Sequence, residues 1–136
     1  MLGKENGCRM RCGINKWEKP FTEEEKNNYR EEARKVFAQK ADYYAEKLGV
    51  TYNRIAIREQ KTRWGSCSSK KNLNFNWRLL LAPEEILDYV VAHELSHLKE
   101  MNHSREFYKV LESVMPDYRW RQQWLKDNGM TLWQRR

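Results

Sequence analysis

Residues 93–103 read HELSHLKEMNH, and this stretch contains all three histidines of the 136-residue chain. His93 and His97 are four residues apart, a spacing that places two imidazoles on one face of an α-helix, about a turn from each other. Two such rings can bind one metal ion, and Glu94 is then well placed to hold a water molecule and take its proton. The stretch therefore predicts the metal-binding helix of a zinc hydrolase.

His103 is the predicted third ligand, since a catalytic zinc site takes three protein ligands and keeps one position open. Six residues separate His103 from His97, so the two cannot share the face of one uninterrupted helix, and the helix is expected to end between Glu100 and Asn102. Glu100 is the alternative ligand because it shares the face of His93, although helical rise puts it about 10 Å along the axis. We therefore predict one zinc ion per chain, bound by His93, His97 and His103.

Glu94 falls inside the apolar stripe of this helix when the residues are plotted at intervals of 100° from Ile86. Burial of a carboxylate costs several kcal/mol unless a cation or a hydrogen-bond donor meets it. The water molecule that a catalytic zinc activates would supply that donor, so the position of Glu94 favours catalysis over a structural zinc site. The alternative is a pair of histidines that forms only a partly buried polar edge, or the remnant of a lost site.

Hydrophobic periodicity predicts the elements around this helix. A capping box at Thr22 and Glu25 begins a long amphipathic helix, which Gly49 ends. Alternating apolar residues predict two strands, and helical spacing predicts the metal-binding helix and two helices after it. The predicted bounds are 50–58 and 73–79 for the strands, about 83–99 for the metal-binding helix, about 107–115 for the next helix and 118–128 for the last.

The order of these elements predicts an α+β domain in which a small, mainly antiparallel sheet packs beside the metal-binding helix and flanking helices. Residues 1–20 show no periodicity and are predicted to be an irregular segment, so a single domain is expected over residues 21–136. An edge strand beside the site could pair with an extended peptide and hold its backbone.

Three longer segments resemble a known family. They read TRWGSCSSKKNLNFNWRLLLAP at 62–83, VVAHELSHLKEMNHSREFY at 90–108 and MPDYRWRQQWLKDNG at 115–129. Their order and spacing resemble those of the YgjP-like metallopeptidase family and, more loosely, of the SprT-like zincins. The resemblance implies a zincin-like fold and a zinc-dependent peptidase.

In that family the matching residues carry the reaction. The resemblance implies that the three histidines bind zinc and that Glu94 is the general base for hydrolysis of a peptide bond by metal-activated water. It also places Arg63, Trp64 and Ser66 near the site.

The positive charge of the chain is concentrated in one segment. The net charge is +7, and residues 50–81 contain seven basic residues against Glu59 alone. A solvated strand face with a basic turn at Lys70 and Lys71 is one interpretation, and a surface for acidic substrates or nucleic acid is the other. The alternative function is therefore a nucleic-acid-associated protein with a protease or structural zinc site. We expect weak, non-specific binding to nucleic acid at most.

The three cysteines, Cys8, Cys12 and Cys67, form an odd set in a chain that shows no secretory signal, so reduced thiols are expected. Cys67 is interpreted as a small packed thiol. No apolar run is long enough to cross a membrane. Together these features predict a cytoplasmic protein that acts on peptides or proteins and does not associate with membranes.

Overall fold

The computed structural model describes residues 20–133. The predicted irregular segment at residues 1–20 therefore lies, apart from Pro20, outside the described residues, as do Cys8 and Cys12.

Helix α1, Glu23–Leu48, begins and ends as the sequence predicts. The Thr22 side chain accepts a hydrogen bond from the Glu25 amide at 3.0 Å, and the Glu25 carboxylate accepts one from the Thr22 amide at 2.9 Å. Gly49 closes the helix in the left-handed conformation at φ 70°, which glycine adopts without a Cβ clash. The helix buries Phe37, whose ring stacks on Phe75 of the sheet at 4.7 Å between centroids.

The sheet has three strands: β1, Arg54–Arg58; β2, Gly65–Cys67; and β3, Asn72–Asn76. Their order is β1-β3-β2, with β1 parallel to β3 and β2 antiparallel to β3. The sheet is thus mixed, which corrects the expectation of a mainly antiparallel sheet. The reason is the order in which the chain enters the sheet. After β1 it first forms β2 at the far edge, and then turns back tightly to form β3 between the two. This reversal makes β3 run in the same direction as β1.

Two strand ends also differ from the sequence-based bounds. The first strand begins at Arg54 and not at residue 50, and the last ends at Asn76 and not at Leu79. The Asn76 side chain accepts a hydrogen bond from the Arg78 amide at 2.9 Å, and this cap starts a 3₁₀-helix at Trp77–Leu81. A local side-chain bond therefore overrides the alternating apolar pattern.

Three further helices complete the domain. Helix α2 spans Glu84–Ser96, α3 spans Arg105–Val114, and α4 spans Tyr118–Asn128 and continues as a 3₁₀-helix at Gly129–Trp133. Helix α2 is central, since it packs against α1, α3, α4 and strand β2. This arrangement confirms the α+β class. No helix within residues 20–133 has the length and apolar character needed to cross a membrane.

Candidate metal centre

The C-terminal end of α2 positions the three histidines. His93 lies in the last turn of the helix, and His97 caps it with φ −65° and ψ −18°. The amides of Lys99 and Glu100 both donate to the Ser96 carbonyl at 3.0 Å, so one more turn follows before the chain leaves the helix axis. His103 comes after that turn, just before α3 begins. The helix therefore ends slightly earlier than predicted, and the chain reverses as expected.

The three imidazoles converge. One ring nitrogen from each of His93, His97 and His103 can be chosen such that all three lie within 4.8 Å of one another. The ring centroids of His97 and His103 are 4.6 Å apart, and that of His93 lies 5.1 Å and 5.2 Å from them. Within the described residues, no other set of His, Cys, Asp or Glu side chains forms such a group. Glu100 is not part of it.

A backbone contact orients His97. Its Nδ1 lies 3.1 Å from the Glu100 carbonyl oxygen, which accepts the ring N–H and leaves Nε2 free as a ligand atom. Burial lowers the pKa of His97, partly opposed by the Glu94 carboxylate. The neutral form of imidazole is the one that binds a metal.

Phe107 in the first turn of α3 supports all three rings. Its own ring is fully buried and lies 4.5 Å from His97, in a stacked arrangement, and 5.0 Å from both His93 and His103. Ser104 caps α3 by accepting a hydrogen bond from the Phe107 amide at 3.4 Å. Helix α3, which follows the histidines in the sequence, therefore supplies the apolar surface on which their rings pack.

Glu94 is buried, as its place in the apolar stripe predicts, with 7% of its surface exposed. Its Oε2 lies 3.2 Å from Nδ1 of His93. No lysine or arginine within residues 20–133 forms an ion pair with it. A buried carboxylate without a cation is costly, so the site is chemically suited to a metal and to a water molecule between the histidines and Glu94.

Strand β2 passes close to Glu94. A Cβ added at Gly65 would lie 3.2 Å from Cγ of Glu94 and 3.1 Å from Cγ1 of Val90, so a side chain here would press on α2. Cys67 is partly buried on the same strand, and burial together with the charge of Glu94 raises the pKa of its thiol to about 11. Cys67 therefore stays protonated near neutral pH and is a poor metal ligand.

A cleft lies next to this strand, on the side of β2 that bears Arg63, Trp64 and Ser66. The complete lining is Arg58, Gln60, Arg63, Trp64, Gly65, Ser66, Asn74, Phe75 and Asn76. The three residues implied by the resemblance are thus in one place. Sequence reasoning missed Arg58 and Asn74, although their alternation with the apolar residues of β1 and β3 indicates the face that carries them.

The donor set fits zinc. Three imidazoles with one position open form a common catalytic zinc site, and the Glu100 carbonyl supplies the usual outer hydrogen bond to one of them.

Comparison with known proteins agrees with this description. The family model "YgjP-like, metallopeptidase domain" matches residues 18–128. The crystal structure of the metallopeptidase zymogen of Pyrococcus abyssi abylysin is 27% identical, with a TM-score of 0.60, and the match covers 73% of this chain and 96% of that one. The metallopeptidase zymogen of Methanocaldococcus jannaschii jannalysin is 26% identical, with a TM-score of 0.56, and the match covers 66% and 91%. These likenesses confirm the zincin-like fold.

A curated relative carries a different activity in its name. UTP pyrophosphatase of Escherichia coli (strain K12) is 31% identical over 77 residues, which cover 55% of this chain. The match spans 46% of that protein, or about half its length.

Proposed function

Since the chain belongs to the YgjP-like metallopeptidase family, we propose that it is a zinc-dependent peptidase whose metal is held by His93, His97 and His103, with one zinc per chain. The observation that carries this proposal is the convergence of three imidazole nitrogens within 4.8 Å beside a buried carboxylate. Glu94 is the proposed general base.

Zinc, when bound, polarises the scissile carbonyl group and acidifies a water molecule. Glu94 accepts the proton from the attacking water and then passes it to the leaving amine. Its burial keeps bulk water away from the carboxylate, and its contact with His93 fixes the direction in which Oε2 points. His97 is held by the Glu100 carbonyl, and Phe107 restrains all three rings, so the ligands need little rearrangement on binding.

Strand β2 offers the peptide a binding edge. The Asn76 amide donates to the Trp64 carbonyl, and the Ser68 amide donates to the Asn72 carbonyl. Because alternate residues of an antiparallel strand bond to opposite sides, the N–H and C=O groups of Gly65 and Cys67 point away from β3. An extended peptide paired with these groups would lie beside Glu94, and backbone pairing would tolerate many side chains.

The test compares the wild type with Glu94→Gln on a protein substrate and a peptide library. We expect the variant to keep zinc and fold but to lose about 10²–10⁴ of its hydrolysis rate, as removal of a general base does. Glu112→Gln is the matched control, because Glu112 is exposed on α3. An unchanged rate in zinc-loaded Glu94→Gln would contradict the role of Glu94.

Hydrolysis of a nucleoside triphosphate is a second candidate. It is favoured by the relative named UTP pyrophosphatase. The chemistry is compatible, since a metal and a general base can direct water at phosphorus as well as at a carbonyl carbon. Incubation of the zinc-loaded protein with UTP and with the peptide library separates the two candidates, and Glu94→Gln serves as the control in both assays.

A further inference from the structure

Strand β2 presents different side chains on its two faces. A Cβ built on Gly65 would point toward Cγ of Glu94, so Gly65, and with it Cys67, lies on the core face of the sheet. Ser66 comes between them and points to the opposite, outer face, where its Oγ accepts a hydrogen bond from Nδ2 of Asn74 at 3.1 Å. The metal centre therefore lies on one side of this strand and the Ser66 hydroxyl on the other.

An extended peptide that pairs antiparallel with the free edge of β2 contacts both faces in turn. Its residues opposite Gly65 and Cys67 would exchange backbone hydrogen bonds with them and turn their side chains to the core face, beside Glu94. Its residue opposite Ser66 would turn its side chain to the outer face, with its Cβ about 5 Å from that of Ser66. One substrate side chain close to the cleaved bond is therefore exposed to the outer face, although the metal lies on the core side.

The outer face next to Ser66 is a polar cleft whose lining includes Arg58, Arg63 and Asn74. Nε of Arg58 donates to Oδ1 of Asn74 at 3.1 Å, and this bond joins Arg58 to the pair formed by Asn74 and Ser66. Within residues 20–133, the terminal nitrogens of Arg58 and the side chain of Arg63 have no hydrogen-bond partner. Several N–H groups in the cleft are thus available to a ligand.

The positive charge of this cleft is not neutralised by the part of the chain that the structure describes. Glu59, the neighbour of Arg58 in the sequence, is paired instead with Arg78 at 2.9 Å and with Lys26 at 3.5 Å. Neither Arg58 nor Arg63 forms an ion pair within residues 20–133. Guanidinium groups bind carboxylates through two parallel hydrogen bonds, so the cleft is complementary to an acidic side chain.

We propose that this cleft is a specificity subsite for an acidic side chain of a peptide substrate, so that the enzyme prefers Asp or Glu at the residue paired with Ser66; the proposal rests on the peptidase function proposed above. Arg58 and Arg63 bind the carboxylate. The Ser66 hydroxyl, which accepts from Asn74, donates its own hydrogen to the same group. The carboxylate stays on the outer face, while the backbone that carries it lies at the strand edge near Glu94.

A polyanion such as DNA fits the outer face less well than one carboxylate does. The other cations of this face lie at its far end, where Arg54 pairs with Asn72 and where Lys70 and Lys71 form the turn. Arg54 is four residues from Arg58 on the same strand, or about 13 Å at 3.3 Å per residue. A polyanion would use both groups of cations, whereas an acidic side chain needs only the cleft.

Cleavage of a randomised peptide library by the zinc-loaded wild type tests the subsite. Asp or Glu should be enriched about tenfold over Asn and Gln at one position close to the cleaved bond, the effect expected of charge-assisted hydrogen bonds. Arg63→Glu should reverse this preference toward Lys or Arg, and Arg58→Gln should reduce it to about twofold. Arg54→Gln is the matched control and should leave the preference unchanged, because Arg54 shares the strand and face of Arg58 but lies outside the cleft.

A second measurement separates recognition from catalysis. Zinc-loaded Glu94→Gln is immobilised, and the library peptides that it captures are sequenced, with the same acidic enrichment expected. Arg63→Glu in this background should remove the enrichment. Loss of fold is not expected to be the cause, because Arg63 is exposed and no hydrogen bond within residues 20–133 depends on its side chain.

The two measurements distinguish failure of the subsite from failure of the peptidase function. Cleavage without an acidic preference, or with one that Arg63→Glu and Arg58→Gln leave unchanged, would overturn the subsite alone. Acidic enrichment among captured peptides without any cleavage would support the subsite and contradict the peptidase function, and the absence of both would overturn both. Capture of a DNA oligonucleotide in preference to acidic peptides, weakened equally by Arg54→Gln and Arg58→Gln, would assign the charge to nucleic acid and overturn the subsite.

Discussion

The metal centre and the cleft on the other side of strand β2 are built in opposite ways. The three histidines and Glu94 come from eleven consecutive residues at one helix end, whereas the cleft collects side chains from all three strands and the segment between β1 and β2. Helical spacing and one turn decide the first arrangement, and strand register decides the second. A site whose residues lie close together in the chain can be predicted from their spacing. A site whose residues come from different strands can be identified only once the strand pairing is known. The two regions meet at Gly65.

The largest effect is expected from His103→Ala, which tests whether the local stretch alone makes the metal site. We predict that the variant loses most of its zinc, because two imidazoles remain where a catalytic site uses three protein ligands. Zinc content after dialysis is the measurement, with Glu100→Ala and Glu106→Ala as controls that keep their metal. The opposite pattern would mean that a carboxylate is the third ligand.

Gly65→Ala should have an intermediate effect and tests the junction between the two regions. Its Cβ would lie 3.1 Å from the Asn74 carbonyl oxygen, a backbone atom that cannot move freely, and 3.2 Å from Cγ of Glu94. We expect a loss of about 1–3 kcal/mol in the free energy of unfolding, as overpacking typically costs. Hydrolysis should fall as well, because Glu94 is displaced.

Urea denaturation of the zinc-loaded protein measures this loss. Ser69→Ala is the control, since Ser69 is exposed in the turn of the same hairpin. If Gly65→Ala were as stable and as active as the control, the close approach of β2 to α2 would be wrong.

The smallest effect on function is expected at Cys67 of strand β2. Its thiol pKa depends in part on the charge of Glu94. With its pKa raised to about 11, the thiol should be alkylated about a hundredfold more slowly at pH 8 than in the unfolded chain, because the thiolate is the reacting form. Mass spectrometry of the Cys67 peptide gives the rate. Glu94→Gln should speed the reaction, since the carboxylate charge helps to raise this pKa. Equal rates in the folded and unfolded protein would contradict the burial.

The predicted elements show where local signals suffice. Thr22 with Glu25 and Gly49 fix both ends of α1 through hydrogen bonds within a few residues, and the structure has both. The last strand ends three residues earlier than predicted because the Asn76 side chain accepts a hydrogen bond from the Arg78 amide. Hydrophobic alternation does not reveal this bond.

The mixed sheet and the cleft show where local signals fail. Arg58 pairs with Asn76 because the chain forms the edge strand β2 before the middle strand β3, which makes β1 and β3 parallel. No residue between Arg58 and Asn76 specifies this order of strands in the sheet. Lys71 adopts the left-handed conformation in the tight turn between β2 and β3, with φ 67°, but this turn fixes only the β2–β3 pair. Arg58 could therefore be counted as a basic residue from the sequence but could not be assigned to a cleft with Ser66 and Asn74.

Anomalous diffraction at the zinc edge from crystals of the zinc-loaded protein tests the central claim most directly. The account predicts one peak per chain, with one ring nitrogen from each of His93, His97 and His103 at about 2.0–2.1 Å, and with Glu94 close by but not a ligand. A peak bound by Glu94, Glu100 or Glu106 in place of one of these histidines, or no peak between the three rings, would contradict it.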